Sequence, residues 1–301
     1  MWRNKVVDSM VSRVYGPTRC DFRKNVSIKH SLQHLTLKNP QVKHLNFLLH
    51  GPVGAGKSSI INSIQSIFQD RVEVGALAAA ESGTSFTKTV NSRNRALPFV
   101  FSDIMGLENG DNVGVHPDDI ISALEGNVRG GYNSSPTLGD KIHCLVSVLP
   151  ADESFMVDKR IFDKMGAIRE HASDLDIPQV VLMTRVDLAC PLVKDDLQCI
   201  YSSKNIKRKV YLYDHVHMLE CSRSLGIPMI CIFPVKNYHE ENNLDGNMDS
   251  LILDALKNVV NFAEDYVDGL ETDTQLSLKP SETTADEQSE DSRFGQSKQR
   301  A

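Results

Sequence analysis

The chain has 301 residues, 41% of them apolar, and a net charge of −6, enough to bury one large α/β core or two small ones. Charge is uneven: residues 1–44 hold nine basic and two acidic residues, and residues 264–301 hold ten acidic and four basic ones. No signal-peptide segment is visible and no run reaches the ~18 apolar residues of a membrane span, so we expect a cytoplasmic protein and no transmembrane segment.

Charge and composition divide the chain into three parts. Nine basic residues over 44 positions are more typical of a solvated face than of a surface that binds nucleic acid. The sequence predicts a basic N-terminal arm at residues 1–44 and one P-loop domain at 45–267. Residues 268–301 are polar, acidic and rich in Ser, Gln and Glu, and this composition predicts a disordered tail.

From residue 45 onward, short apolar runs alternate with amphipathic stretches. This pattern predicts an α/β fold, a mostly parallel sheet with helices on both faces. The predicted strands are 45–50, 85–90, 97–102, 142–149, 179–184 and 229–233. The predicted helices are 59–68, 117–127, 155–172, 193–202, 211–225 and 248–267. Residues 107–141, above all 126–139, are rich in Gly, Ser, Asn and Pro, which indicates a long loop that is functional or disordered.

Residues 51–58, GPVGAGKS, lie between the first strand and the first helix and have the spacing of a P-loop. Its backbone N–H groups would wrap a polyphosphate, because glycines allow close approach and positive φ. Lys57 would contact the β- and γ-phosphates, Ser58 would bind Mg²⁺, and the helix N-terminus would face the anion. The alternative is an ordinary glycine-rich turn. The predicted phosphate-binding residues of this loop are Gly51, Val53, Gly54, Ala55, Gly56, Lys57, Ser58 and Ser59.

The third predicted strand runs into Asp103-Ile-Met-Gly106, a D-x-x-G motif. Asp103 would hold a water bound to Mg²⁺, and the N–H of Gly106 would face the γ-phosphate, where a side chain would collide. The alternative is an Asp that opens a turn. For a further Mg²⁺ ligand we choose Thr84, from the hydroxyl-rich residues 82–87. The alternative there is the edge of a strand rich in Ser and Thr.

The fifth predicted strand ends in Thr184-Arg185-Val186-Asp187. Asp187 would accept two hydrogen bonds from N1–H and the N2 amino group of guanine, whereas adenine has no N1–H. Thr184 belongs to the same predicted guanine site, and the stem of Arg185 would lie over one face of the base. The usual motif is N/T-K-x-D, so Arg185 departs from it. The alternative is that Asp187 caps the next helix.

Two further positions affect the predicted site. Lys236 follows the last strand and would cover the other face of the base; the alternative is a solvated lysine. Leu107 follows Gly106, where small GTPases keep a glutamine that orients the attacking water. Leucine has no group for that task. GTP hydrolysis would therefore be slow, or would need another group, a protein partner or a dimer.

Five segments together resemble a known family. LLHGPVGAGKSSIINSI, SDIMGLE, SPTLGDKIHCLVSVL, VVLMTRVD and PVKNY, spread over about residues 45–267, resemble the GTP-binding domain of interferon-induced protein 44 and 44-like proteins. The resemblance implies a cytoplasmic, interferon-inducible protein that binds GTP and acts in antiviral or immune defence.

The sequence therefore predicts a guanine-nucleotide-binding switch with GTP or GDP and Mg²⁺ as cofactors. Two rival functions remain. One is an interaction protein with a vestigial nucleotide pocket, whose partner would bind the 107–141 segment. The other is a P-loop enzyme that uses ATP.

Overall fold

The computed structural model describes residues 24–73, 86–92, 95–108, 116–126, 136–152, 159–201 and 217–277. Within these ranges, six strands form one sheet in the order β2-β3-β1-β4-β5-β6. Strand β2 runs antiparallel to β3, and every other neighbouring pair is parallel. The strands are β1 Leu45–His50, β2 Phe86–Ser92, β3 Arg95–Asp103, β4 Cys144–Pro150, β5 Gln179–Thr184 and β6 Ile232–Pro234.

Helices connect most of these strands. They are α1 Asn25–Gln33, α2 Lys57–Gln69, α3 Pro117–Leu124, α4 Lys159–Asp174, α5 Val186–Ala189, α6 Pro191–Asp195, α7 His217–Leu225 and α8 Gly246–Ser277. Short 3₁₀ turns occupy Leu138–Asp140, Leu197–Tyr201 and Met229–Cys231. In the part of the chain that the structure describes, no helix has the length and apolar character needed to cross a bilayer.

Helices cover both faces of the sheet, because its central strands are apolar on both sides. In β1, Phe47 and Leu49 pack into a buried cluster with residues of α2 and α8. Leu48, between them, packs into a second buried cluster with residues of α3, α4 and α7. The strand β4 alternates between the two clusters in the same way, as the two-residue period of a strand requires. The predicted fold class is confirmed.

The sheet brings the predicted motifs to one edge. Leu49 of β1 is level with Asp103 of β3, and in β5 Met183 is level with Pro234 of β6. These parallel strands therefore end at the same side of the sheet. In open α/β folds, ligands bind outside the carboxyl ends of the strands, and here the loops that follow β1, β3, β5 and β6 all lie there.

The helix α1 lies in the segment assigned to the basic arm and was not predicted. Ile28 and Leu32, four residues apart, pack against the first apolar cluster. Asn25 Nδ2 donates to the Gly246 carbonyl at 2.7 Å, and Lys29 pairs with Asp70 at 2.5 Å. Two apolar contacts and these polar ones attach α1 to α8 and α2. Its sequence has too short an apolar stripe for the helical period to be visible.

The last helix is longer than predicted. It ends at Ser277 rather than at residue 267, so the first ten residues of the predicted disordered tail are helical. No proline interrupts the segment before Pro280, and the residue before a proline is biased away from the helical conformation. Residues 278–301 lie outside the described residues.

Three other predictions needed correction. Helix α2 begins at Lys57, two residues early, because Gly56 adopts the left-handed conformation directly before it. The predicted helix 193–202 is instead α6 and a 3₁₀ turn, separated by an extended Asp196. The predicted strand 229–233 begins only at Ile232, after a turn closed by Cys231 N–H and the Pro228 carbonyl. Within the described ranges, the other predicted elements are confirmed, with ends that shift by a few residues.

Candidate functional site

Residues 51–58 form a tight turn whose shape depends on glycine. Gly51 has φ +144°, and a Cβ there would lie 2.1 Å from the Val148 carbonyl oxygen of β4. Gly56 has φ +92°, and α2 begins at the next residue. Both conformations strain any residue with a side chain. The loop thus turns sharply over the sheet and presents the first turn of α2, where Ser59 is exposed.

Lys57 is folded back into this loop. Its Nζ donates to the carbonyls of Gly51 at 3.1 Å and Pro52 at 3.0 Å, and the residue is only 7% exposed. Burial lowers the pKa of Lys57 to about 8, although the nearby charge of Asp103 opposes the shift. The loop therefore holds a positive charge with little solvent around it, an environment in which an anion is strongly attracted.

Ser58 and Asp103 are in direct contact. The Ser58 hydroxyl donates to Asp103 Oδ2 at 2.5 Å. Asp103 ends β3 and is buried, which raises its pKa even though the Ser58 hydrogen bond and the charge of Lys57 act in the opposite direction. A hydroxyl and a carboxylate at this spacing are hard oxygen donors of the kind that Mg²⁺ binds.

The donor set fits a magnesium ion held jointly with phosphate. The described residues contain no group of three or more His, Cys, Asp or Glu side chains placed to bind a metal. Mg²⁺ usually takes one or two protein oxygens and completes its shell with phosphate oxygens and water. Ser58 and Asp103 fit that pattern. The third predicted ligand, Thr84, lies outside the described residues.

The D-x-x-G segment lies against the phosphate loop. The Leu107 N–H donates to the Gly51 carbonyl at 3.0 Å, and the Val53 N–H donates to the Leu107 carbonyl at 3.4 Å. A Cβ on Gly106 would lie 2.6 Å from the Val53 backbone nitrogen, so this approach needs glycine. The predicted γ-phosphate contact and the predicted phosphate loop are therefore neighbours.

The side chain of Leu107 belongs to the core. It is 1% exposed and packs into the second apolar cluster. Val53, by contrast, is 60% exposed beside Gly106. The position next to Gly106 therefore lacks a polar side chain, and its apolar side chain points into the core.

Thr184 and Arg185 reach back to the phosphate loop. Thr184 Oγ1 donates to the Ala55 carbonyl at 2.6 Å, and an Arg185 guanidinium N–H donates to the Gly54 carbonyl at 2.5 Å. A second arm of the guanidinium pairs with Asp152 at 3.2 Å. The fork of arginine allows both contacts at once. Arg185 in place of lysine thus keeps the long stem of the motif and adds an anchor to Asp152.

Asp187 and Lys236, which were both predicted to contact the base, lie close together. Lys236 Nζ is 3.9 Å from Asp187 Oδ2 and 2.8 Å from Glu241 Oε1. Burial alone would lower the pKa of Lys236, but the hydrogen bond and charge of Glu241 and the charge of Asp187 outweigh it and raise the pKa. Lys236 is an ion-paired residue at the site rather than a solvated one.

Asn237 is a residue of this site that the sequence prediction missed. Its Nδ2 donates to the Gly56 carbonyl at 3.2 Å, and its Oδ1 is buried without a hydrogen-bond partner. The next residue, Tyr238, donates its N–H to Ser63 Oγ of α2 at 2.9 Å. The sequence showed only that Asn237 follows Lys236 after the last strand. That position does not show which of the two side chains turns toward residues 51–58.

The strand order, the glycine-rich loop before α2 and the motifs around it define a P-loop protein with the fold of a G domain. No protein-family model matches the chain. Human interferon-induced protein 44 is 31% identical to it over 250 residues, covering 76% of this chain and 54% of that protein. The mouse protein is 30% identical over 273 residues, covering 82% and 62%. Human interferon-induced protein 44-like is 30% identical over 251 residues, covering 76% and 54%.

Over the matched segment, the chain belongs to the interferon-induced protein 44 and 44-like family, as the sequence resemblance predicted. The chain spans between 54% and 62% of the length of these relatives. Among solved structures, a probable GTP-binding protein engB is 13% identical, covers 73% of this chain and 98% of its own, and has a TM-score of 0.40. Nucleolar GTP-binding protein 1 from Plasmodium falciparum is 12% identical, covers 81% and 98%, and has a TM-score of 0.42.

Proposed function

We propose that the chain binds a guanine nucleotide, GTP or GDP, together with Mg²⁺ and acts as a nucleotide-dependent switch. The observation that carries this proposal is the attachment of the base loop, residues 184–187, to the phosphate loop, residues 51–58. Thr184 and Arg185 donate to the carbonyls of Ala55 and Gly54. The two halves expected of a nucleotide site are thereby one continuous structure at the carboxyl edge of the sheet.

Each phosphate-side residue has a role in this proposal. The N–H groups of residues 54 and 56–59 and the ammonium of Lys57 would bind the phosphates, and the N–H of Gly106 would respond to the γ-phosphate. The N–H groups of Val53 and Ala55 donate within the site, to the carbonyls of Leu107 and Pro52. Ser58, Asp103 and Thr84 would hold Mg²⁺, which neutralises phosphate charge when bound. Lys57 now donates to two loop carbonyls, and phosphate oxygens would be stronger acceptors because they are ionised.

Base recognition rests on Asp187. Its carboxylate would accept the N1–H and N2 hydrogens of guanine, and Lys236, 3.9 Å away, would cover the base from the other side. This contact has a sharp test. Asp187→Asn replaces one acceptor oxygen with a donor, which matches xanthine, whose C2 carries an oxygen.

The test compares binding of GDP and xanthosine diphosphate. We expect Asp187→Asn to lose at least about fivefold in GDP affinity and to gain affinity for xanthosine diphosphate, because one buried polar mismatch is worth roughly 1–3 kcal/mol. Asp163→Asn, an exposed position on α4, is the matched control. Equal loss of both nucleotides in the Asp187 variant would contradict the assigned contact.

We propose that GTP hydrolysis by the isolated chain is slow. The residue that would orient water is Leu107, and its side chain is buried in the core. Fast turnover would need a group from elsewhere in the chain, from a protein partner or from a second copy. An end-point assay of phosphate release from GTP, with and without added cell extract, measures the hydrolysis rate directly.

The family also suggests the setting in which the protein acts. Because the curated relatives are named interferon-induced proteins, we propose that interferon raises expression of this chain and that it acts in the cytoplasm in antiviral or innate immune defence. Transcript and protein levels before and after interferon treatment test the first point. Viral yield in cells that lack the gene tests the second.

A further inference from the structure

Three consecutive carbonyls of the phosphate loop each accept a side-chain hydrogen bond. Arg185 donates to the Gly54 carbonyl at 2.5 Å and Thr184 to the Ala55 carbonyl at 2.6 Å. Asn237 donates to the next one, the Gly56 carbonyl, at 3.2 Å. Thr184 ends β5, Arg185 follows it, and both belong to the predicted guanine motif. Asn237 follows β6 and has no role in that motif.

These contacts act on the orientation of the loop amides. In a planar trans peptide, the C=O of one residue and the N–H of the next point in opposite directions. Arg185, Thr184 and Asn237 therefore fix the directions of the carbonyls of residues 54, 55 and 56. The N–H groups of residues 55, 56 and 57 then point in the opposite directions. The Ala55 N–H donates to the Pro52 carbonyl at 3.2 Å, and the N–H groups of Gly56 and Lys57 would face the phosphates.

Asn237 is held in place from several directions. The residue after it bonds to α2 through Tyr238 N–H and Ser63 Oγ, 2.9 Å apart. The Asn237 Nδ2 lies 2.9 Å from where a Cβ on Gly56 would stand, and Thr184 Oγ1 lies 3.6 Å from the same point. Gly56 thus leaves the space in which the amide fits, and the amide lies between the base loop and the start of α2.

We propose that Asn237 is a positioning residue of the phosphate loop and that it sets affinity for the diphosphate part of the nucleotide. The inference rests on the proposed function, since it assigns a role within that site. The side chain acts through the Gly56 carbonyl and touches no phosphate. The Ile60 N–H also donates to this carbonyl, at 2.9 Å, so removal of Asn237 takes away one of its two donors. The Gly56–Lys57 peptide is then held less firmly, and diphosphate binding weakens while contacts to the base remain.

The experiment measures affinity for three ligands by competition against fluorescent GDP: unlabelled GDP, pyrophosphate and guanosine. The variants are Asn237→Ala, which removes the donor, and Asn237→Asp, which keeps the shape but replaces the donor with an acceptor. Asn258→Ala is the matched control, because Asn258 Nδ2 also donates to a backbone carbonyl, that of Asp254 at 2.8 Å, on the distant helix α8. Thermal melting of each variant checks that it folds.

We expect Asn237→Ala to weaken GDP and pyrophosphate by a similar factor, roughly three- to tenfold, the worth of one hydrogen bond. Asn237→Asp should weaken both further, and guanosine affinity should stay within twofold of wild type. Unchanged GDP and pyrophosphate affinities, or a matching loss of guanosine affinity, would overturn the proposal while leaving the proposed function standing. A wild-type chain that binds neither GDP nor pyrophosphate would overturn both.

Discussion

The hydroxyl of Ser58 donates a 2.5 Å hydrogen bond to Oδ2 of Asp103, so the two described ligands proposed for Mg²⁺ lie in direct contact. One comes from the first turn of α2 and the other from the end of β3. A bound Mg²⁺ would be held by the Ser58 hydroxyl and, through a water, by Asp103. Nucleotide affinity should therefore depend on Mg²⁺, and the dependence should pass through this pair.

The first prediction concerns that dependence. Wild type should bind GDP at least tenfold more tightly with Mg²⁺ than with EDTA, and Asp103→Asn should reduce this ratio to about one, because a neutral amide holds a metal-bound water far less strongly than a carboxylate does. Asp163→Asn on the surface of α4 should keep the wild-type ratio. If Asp103→Asn keeps the wild-type ratio of affinities, the assignment of Asp103 to the metal site is wrong.

Lys57 should reduce stability in the absence of ligand. Burial lowers its pKa to about 8, so at pH 7 the folded state holds a charge that the unfolded state hydrates fully. The two carbonyls it contacts also accept backbone N–H groups, from Leu107 to Gly51 and from Ala55 to Pro52. Lys57→Met therefore leaves no orphaned acceptor. We expect it to raise the free energy of unfolding by about 1–2 kcal/mol while abolishing GDP binding.

Chemical denaturation and nucleotide titration check both halves of this prediction. The control is Lys257→Met at an exposed position of α8, which should change neither quantity. A less stable Lys57→Met variant would show that the lysine supports the loop structurally. If Lys57→Met keeps the wild-type affinity for GDP, the assignment of Lys57 to the phosphate site is wrong.

His50 should make the protein sensitive to acid. It is buried at the end of β1 with its Nε2 2.7 Å from Ser147 Oγ, and burial, aided by the charge of Lys57, lowers its pKa to about 3. Between pH 6.5 and 3, the unfolded chain binds a proton at this histidine and the folded chain does not. The neutral, buried His50 therefore contributes its full stabilisation above pH 6.5. Below that pH, the free energy of unfolding falls by up to about 1.4 kcal/mol per pH unit.

The free energy of unfolding, measured between pH 7.5 and 4.5, tests the direction of this pH dependence. His50→Gln should flatten the fall in stability, and His239→Gln, at an exposed histidine, should leave it unchanged. His143, whose pKa burial also lowers, remains in both variants and accounts for part of the remaining slope. A wild-type slope retained in His50→Gln would contradict the assignment.

Leu107→Gln should not create a GTPase. The side chain at this position packs in the second apolar cluster, so a glutamine would bury an amide there and cost roughly 2–4 kcal/mol of stability. Leu107→Met, which conserves volume, should cost less than about 1.5 kcal/mol. Single-turnover hydrolysis should be unchanged in both variants. A rate increase of tenfold or more in Leu107→Gln would show that the position faces the nucleotide.

Local sequence patterns were sufficient for most of the sheet. The strands β1 and β5 have the predicted bounds, because each is a mostly apolar run that leads directly into a motif with its own spacing. The helix α1 could not be recognised in the same way. Its place depends on contacts with α8 and α2 more than 40 residues away, and such contacts leave no periodic trace in a nine-residue segment.

The residues of the candidate site divide in the same way, because some follow from local sequence and others from contacts between distant segments. Spacing predicted residues 51–58, Asp103 and Asp187 as site residues, because glycine, lysine and carboxylate positions follow from the chemistry of phosphate and guanine. It did not identify Asn237, whose bond to Gly56 joins residues 181 positions apart. Nor did it show that Arg185 reaches Gly54 and Asp152. Those contacts depend on how the loops after β5 and β6 meet over α2.

The most direct test of the central claim is a titration of the wild-type chain with fluorescent GDP, GTP and ATP in the presence of Mg²⁺. The account predicts saturable, one-to-one binding of GDP and GTP and at least a hundredfold weaker binding of ATP, because Asp187 finds no N1–H on adenine. Preference for ATP would contradict the role of Asp187. Absence of binding by all three nucleotides would contradict the account as a whole and would favour an interaction protein with a vestigial pocket.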